Sequence, residues 1–354
     1  MLRKFTNFYE CKRIIKQKSG GKNQLQKQIQ SLANEILELN PDPIPKYLIL
    51  RDILEKDPKQ LTELKKQVLQ TKWVADVLVE QRNNGTWGRF HSQNTKIKQK
   101  YPTTESALHR CAVIGLTKED LPINNAIKYM EKVLLGKFVW EDWREKSEAW
   151  DAGVAVITAS TLAEWCPNHP LVLPIRILWT RIVEESFKNS QYQPSLEVAA
   201  QQKYHQISSD FYYIGSKYAV RLLSSGANER KPKNSTDIEE DYTTWLWTRE
   251  SGMGYITNNR LADLPVGVTY KEVKAKLKAL DLLAEFPNTL SVCQVFIQWL
   301  WKNRGTDGLW DFGPRGVEKI ELPLSENTRK KVNRKIDYTV RILSILHKVI
   351  KNQL

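Results

Sequence analysis

The chain has 354 residues, with 54 Lys and Arg against 40 Asp and Glu for a net charge of +14. Apolar residues at 41%, charged residues at 27%, and only 16 Gly and 15 Pro exclude collagen-like, low-complexity and wholly disordered classes. A chain this long buries enough surface for one large domain or two ordinary ones.

The charge sits at the ends: residues 1–30 carry +7, residues 326–354 carry +6, and everything between carries +1. A basic stripe along the molecule, the usual footprint of a nucleic-acid binder, is therefore not indicated, although the two termini could still meet in a basic patch. The four cysteines, Cys11, Cys111, Cys166 and Cys293, show no CxxC spacing and read as reduced thiols. The N-terminal residues hold no apolar run of signal-peptide length. The longest apolar-leaning segment, Gly153 to Ala163, falls short of the roughly 20 residues that span a bilayer. The expectation is a soluble cytoplasmic protein without a transmembrane segment.

In chain order, residues 1–45 read as a basic N-terminal arm or appended helix, in which Leu25, Ile29, Leu32, Ile36 and Leu39 mark one amphipathic face. Helical periodicity continues over 44–55, 58–82, 103–114, 122–135, 150–165, 170–188, 209–224, 238–249, 267–285, 289–303 and 327–350. Pro122 suits a first helical turn, Thr103 or Thr104 can cap the helix that Glu105 opens, and Gly115 and Gly136 fall where left-handed caps belong. No alternating strand run occurs. The longer breaks are Asn83–Lys100 and Ser225–Thr236, the second a polar surface loop. Residues 46–354 are expected to form a single all-α domain of roughly twelve helices.

Two segments repeat. WVADVLVEQRNNGTWGRF (73–90) and VCQVFIQWLWKNRGTDGLWDFG (292–313) each run from an apolar helix through a polar stretch to Gly-x-Trp, and TTWLWTRESGMGYITNN (243–259) is a weaker copy with Tyr255 in the Trp place. Gly85 or Gly308 allows a positive φ, and the Trp two residues later can close over the preceding helix end.

Gln81-Arg82-Asn83-Asn84-Gly85-Thr86-Trp87 resembles the Q-x3-G-x-W core of the QW repeat of squalene and oxidosqualene cyclases and, more loosely, of protein prenyltransferase β subunits. The second copy keeps Gly308-x-Trp310 but has Lys302 in the Gln place and a longer spacer. GRFHSQNT (88–95), TTESALHR (103–110), GYITNNRLADLP (254–265) and GLWDFGP (308–314) are similar to an uncharacterised bacterial group described as prenyltransferase-like or squalene-cyclase-like, over about residues 60–346. The resemblance implies an α/α toroid, about six helical hairpins around a central cavity. It does not carry activity with it. The DxDD acid, the DDxxD metal motif and the Asp-x-Cys zinc pair of these families are all missing; the nearest acidic run, Asp237-Ile238-Glu239-Glu240-Asp241, has the wrong spacing.

Candidate site residues follow from helix entrances and turns. Glu105 and His109, four apart on one helix face, can form a proton relay or be only a capping carboxylate and an exposed His. His91, Asp151 and Asp311 complete the candidate acid–base set, the two aspartates being equally readable as turn acids. Arg89, Arg334 and Arg341 are candidates for binding an anionic group and Asp337 is a further substrate-binding candidate at a helix entrance, or the basic C-terminal helix simply presents a solvated face. Trp87, Trp150 and Trp310 can line a cavity or brace turns and core. Cys166-Pro167-Asn168-His169 offers metal-ligating atoms without a second cluster, so no metal or cofactor is assigned.

The expected function is binding or transformation of an isoprenoid-like or anionic small molecule in a polar and aromatic cavity, with catalysis left open. The alternatives are a non-catalytic toroid that binds a ligand or protein, an α/α-barrel glycan-processing enzyme, and a nucleic-acid binder built from the two basic termini.

Overall fold

The computed structural model describes residues 18–143, 149–205, 213–225, 236–316 and 319–353. The arm before Lys18, the start of the helix expected over 209–224 and most of the loop Ser225–Thr236 lie outside these residues. The described residues are helical and form no strand; two isolated bridges, Ser216 with Gly254 and Met253 with Thr257, are the extended pairings they contain.

The N-terminal amphipathic face folds as helix α1 (Lys18–Glu38), which buries Ile29, Leu32, Ala33 and Ile36 and packs on the C-terminal helix α15 (Lys331–Lys351). Helix α2 (Pro43–Leu48) starts with Pro43, where a missing N–H costs nothing, and widens into a π turn at Ile49–Ile53. The single helix expected over 58–82 is broken into a 3-10 turn, Pro58–Leu61, and helices α3 (Thr62–Leu69) and α4 (Lys72–Glu80). The break falls at Thr71, which is extended; its hydroxyl donates to Val68 O at 2.7 Å, and the next amide, Lys72 N–H, donates to Glu326 Oε1 at 2.9 Å.

Helix α5 (Thr104–Val113) is capped by Thr103, whose hydroxyl oxygen accepts from Ser106 N–H at 3.1 Å. Then come α6 (Leu121–Leu134), with Pro122 in its first turn, α7 (Trp150–Ala163), α8 (Leu173–Ser186) and α9 (Pro194–His205). Helix α9 has no counterpart among the expected segments. Its inward residues include Glu197, Ala200 and Gln201, so burial leaves no apolar periodicity in the sequence. Helix α10 (Lys217–Ser224) takes up only the end of the segment expected over 209–224; the described residues 213–216 are not helical. Residues before it pair instead with a distant loop: Gly254 N–H donates to Gly215 O and Lys217 N–H to Gly254 O, both at 3.0 Å. Helices α11 (Thr236–Thr248), α12 (Tyr270–Leu283), α13 (Thr289–Val292) and α14 (Gln294–Lys302) precede α15. Helix α7 packs on α6, α8 and α10; α10 packs on α8 and α12; α12 packs on α15.

The two Gly-x-Trp segments form equivalent turns. Trp87 and Trp310 are buried; Trp87 Nε1–H donates to Val77 O at 2.7 Å, and Trp310 Nε1–H donates to Leu300 O at 2.7 Å. In each, the Trp amide donates to a threonine hydroxyl of the next long helix, Thr104 at 2.9 Å and Thr339 at 3.1 Å. The indole thus ties the end of one helix to the start of another. The third copy departs from this: Tyr255, at φ 64°, is 49% exposed and packs its ring on Tyr218 and His91.

Gly85 and Gly308 both adopt positive φ, 88° and 77°, but their surroundings differ. A Cβ on Gly85 would lie 2.4 Å from Asn125 O, whereas one on Gly308 would meet only Leu32 Cδ1 at 3.8 Å. Gly308→Ala should cost only the left-handed strain, about 1–2 kcal/mol. Gly85→Ala adds a backbone clash and should cost clearly more, a difference that chemical denaturation of the two variants measures; equal losses would contradict it. Among the described residues no helix is long and apolar enough to cross a membrane.

Candidate functional site

A cavity of about 500 Å³ collects side chains from five helices. Helix α5 supplies Glu105 and His109, one turn apart; the end of α7 supplies Ala163 and the adjoining Glu164; α10 supplies Lys217 and Arg221, again one turn apart. Helix α12 presents Lys271, Lys274, Lys278 and Asp281 at spacings of three and four, hence on one face, and α15 contributes Lys348. The irregular segments carrying Tyr255 and Glu321 complete the wall.

Glu321 is placed by two buried side chains that do not reach the cavity. Arg110 donates to the carbonyls of Ile320 and Pro323, and Asp337 accepts from the amides of Leu324 at 3.0 Å and Ser325 at 2.9 Å. Burial pushes the Asp337 carboxyl up to about 6, against the stabilising pull of those donors.

His109 stands between two carboxylates: Nδ1 is 3.2 Å from Glu164 Oε1 and Nε2 is 2.8 Å from Glu321 Oε1. Burial opposes a charge on the ring, but Glu321 and Glu164 overcome it and raise its pKa to about 9. At neutral pH His109 is therefore an imidazolium with both N–H groups donated, and it has no lone pair with which to act as a base. Glu321 also accepts from Arg341 Nη2 at 2.8 Å and has Lys278 Nζ at 3.4 Å. Despite burial, His109, Arg341 and Lys278 hold it well below the usual carboxylate range. Glu164, likewise opposed by burial, is lowered to about 2 by Arg221 and His109.

A second cluster adjoins the first. Glu105 pairs with Lys217 and accepts from the Tyr218 hydroxyl at 3.1 Å, while that hydroxyl lies 2.9 Å from His91 Nδ1. Although burial works against it, Lys217, His91 and Arg221 keep Glu105 ionised. Burial and the Glu105 charge raise the Tyr218 phenol well above its ordinary value. His91 Nδ1 also lies 3.2 Å from Glu105 Oε2, so His91, Tyr218 and Glu105 form one hydrogen-bonded cluster in which the phenol donates to the carboxylate.

Of the sequence candidates, Glu105 and His109 line the cavity, and His91 and Arg341 join it through Glu105 and Glu321. Glu105 and His109 share a face, yet each takes other partners, so the relay expected between them is not formed. Asp311 and Arg334 pair with each other, at 2.9 and 2.8 Å, away from the cavity-lining residues. Asp151 is exposed in the first turn of α7, and Arg89 lies over the ring of Trp143. Trp87 and Trp310 brace turns, Trp150 meets Trp140 edge-on, and among the described residues no Trp lines the cavity. His169 Nε2 pairs with Glu131 at 2.9 Å, and among the described residues no group of three or more His, Cys, Asp or Glu is arranged to hold a metal.

Glu164, Lys217, Tyr218, Arg221, Lys278 and Glu321 were not among the candidates. A sequence signal existed for Lys217 and Arg221: they sit four apart in a short helix otherwise composed of Tyr, Ala, Val, Leu and Ser, where a charge must find a partner. No family model matches the chain, and no curated protein or solved structure is significantly similar to it.

Proposed function

We propose that this chain is an α/α toroid of the QW-repeat type whose cavity binds an anionic, polar small molecule. The carrying observation is the charge of the lining: among the described residues, six Lys and Arg side chains and the protonated His109 face five carboxylates. The surplus is two positive charges in about 500 Å³, where a reduced dielectric strengthens attraction for an anion. The two indole-braced turns and the contribution of α5, α7, α10, α12 and α15 to one cavity support the toroidal reading.

Among the described residues the aromatic content of the wall is one tyrosine, Tyr255, which favours a charged ligand over an isoprenoid hydrocarbon. A glycan-processing site needs one carboxyl kept protonated as a general acid. Glu105, Glu164 and Glu321 are all held ionised, which argues against that use.

Isothermal titration calorimetry with inorganic pyrophosphate at low ionic strength tests the reading. Binding should weaken as salt rises, and Arg221→Gln or Lys278→Gln should each reduce affinity about tenfold, the worth of one charge-assisted contact. Tighter, salt-independent binding of neutral farnesol would overturn it.

A further inference from the structure

Helix α6 ends at Leu134, and every residue from 135 to 139 is exposed. Three of them, Leu135, Phe138 and Val139, are large and apolar, and Val139 is 85% exposed. Trp143 extends the run at 70% exposure and is the only exposed tryptophan among the described residues. The segment is anchored from beneath. Trp140 is buried and stacks on Phe90 at 4.9 Å, and the Asp142 carboxylate accepts from the amides of Phe90, His91 and Ser92 at 2.8, 2.9 and 2.5 Å. Those two inward anchors hold Val139 and Trp143 in solvent, where an apolar side chain gains no burial. Single apolar residues are ordinary on a surface, but several crowded on one protruding segment mark a surface that docks.

The charges beside the patch indicate on what. Lys132 Nζ lies over the Phe138 ring at 5.0 Å, the Arg89 guanidinium lies over the Trp143 ring at 5.6 Å, and Lys137 is exposed between them in the chain. Among the described residues none of these three cations is paired with a carboxylate. The acids of the same stretch are already used: Glu131 pairs with His169, Glu141 with Arg82, and Asp142 with the three amides. A cation resting on each aromatic ring sets phosphate-seeking charge level with an apolar body, which matches the boundary between acyl chains and anionic headgroups. A fluid bilayer closes around a convex tip, whereas a protein partner must supply a pocket of matching shape.

We propose that residues 135–143 dock this protein reversibly on an anionic bilayer surface. Phe138, Val139 and Trp143 enter the acyl boundary, and Arg89, Lys132 and Lys137 meet the headgroup phosphates. Docking of this kind needs no membrane-spanning helix.

Co-sedimentation of the full chain with phosphatidylcholine vesicles containing about one-quarter phosphatidylserine tests the assignment. The protein should pellet at low salt, and less with phosphatidylcholine alone. The basic termini also attract anionic vesicles, so the deciding variant leaves net charge unchanged. Val139→Ser combined with Trp143→Ser should weaken binding at least about tenfold, and exposure of both side chains spares the fold. Lys137→Gln should weaken it about fivefold. Vesicles with brominated acyl chains should quench the fluorescence of the bound unaltered protein and quench bound Trp143→Phe clearly less. Equal pelleting of the unaltered protein and the double serine variant, or equal quenching of Trp143→Phe, would overturn the proposal and leave the basic termini as the source of vesicle binding. Absence of pelleting at low salt would also remove it, and self-association lost in the double serine variant would then give the patch to a second copy of this chain.

Discussion

Glu321→Ala is expected to destabilise the protein by about 3–5 kcal/mol, because it leaves His109, Arg341 and Lys278 facing one another without the buried carboxylate they share. The change should also alter how stability depends on pH. The pKa of His109 is raised from an ordinary 6.5 to about 9 in the folded protein, so its contribution is fully present below about pH 6.5 and is lost as pH rises through about 9. A shift of that size is worth on the order of 3 kcal/mol. Glu164, lowered to about 2, acts in another window: its contribution is present above about pH 4.5 and disappears as pH falls towards 2. Urea unfolding at pH 6 and pH 9 should therefore show the unaltered protein losing stability at the higher pH, and Glu321→Ala showing a much flatter response. A loss below about 1 kcal/mol with an unchanged pH dependence would mean that the His109 network contributes little.

Trp310→Ala should be comparably damaging, at about 3–5 kcal/mol, since it empties a fully buried indole volume and removes the indole's bond to the Leu300 carbonyl, which keeps only the Asn303 amide. Trp87→Ala should match it, because the indole of Trp87 makes the same bond to Val77 O at the same 2.7 Å. Trp310→Phe keeps most of the volume and should lose only about 1–2 kcal/mol. Neither indole reaches the cavity, so a folded Trp310→Phe protein should bind pyrophosphate as the unaltered protein does. Loss of that binding in a folded variant would show that the turn does more than join two helices.

The helices were readable wherever one face is apolar and the other wet. Leu25 to Leu39, Ile123 to Val133 and the C-terminal stripe of α15 recur at helical spacing because each helix turns one apolar face to the core and the other to water. Helix α9 was not readable, because its buried face includes Glu197 and Gln201, satisfied by tertiary partners: Glu197 accepts from Tyr192 and from the Ile214 amide, both at 2.7 Å. The continuous pattern over 58–82 likewise concealed the break at Thr71, which depends partly on Glu326, 254 residues away.

The site was half readable. Glu105 and His109 stand out as a polar pair at a helix entrance. Lys271, Lys274 and Lys278 have the spacing of an ordinary solvated face, and local sequence does not distinguish such a face from one that also lines a cavity. Glu321 lies in an irregular segment, where no periodicity marks the inward direction; its position follows from Arg110 and Asp337, more than 200 and 16 residues away in the chain.

The sequence by itself determined that the chain is helical, where most helices run and which two glycines turn before a bracing tryptophan, because those properties depend on local dihedral preference and local periodicity. Only the tertiary structure decided which charges neutralise one another. Asp311 and Arg334, both candidates for the site, cancel in a pair of their own, whereas Glu164, Arg221 and Glu321 meet His109 around a cavity. Coulomb attraction and desolvation act over a few ångströms of space and are indifferent to separation along the chain, so the charge pattern acquires its meaning when the helices pack.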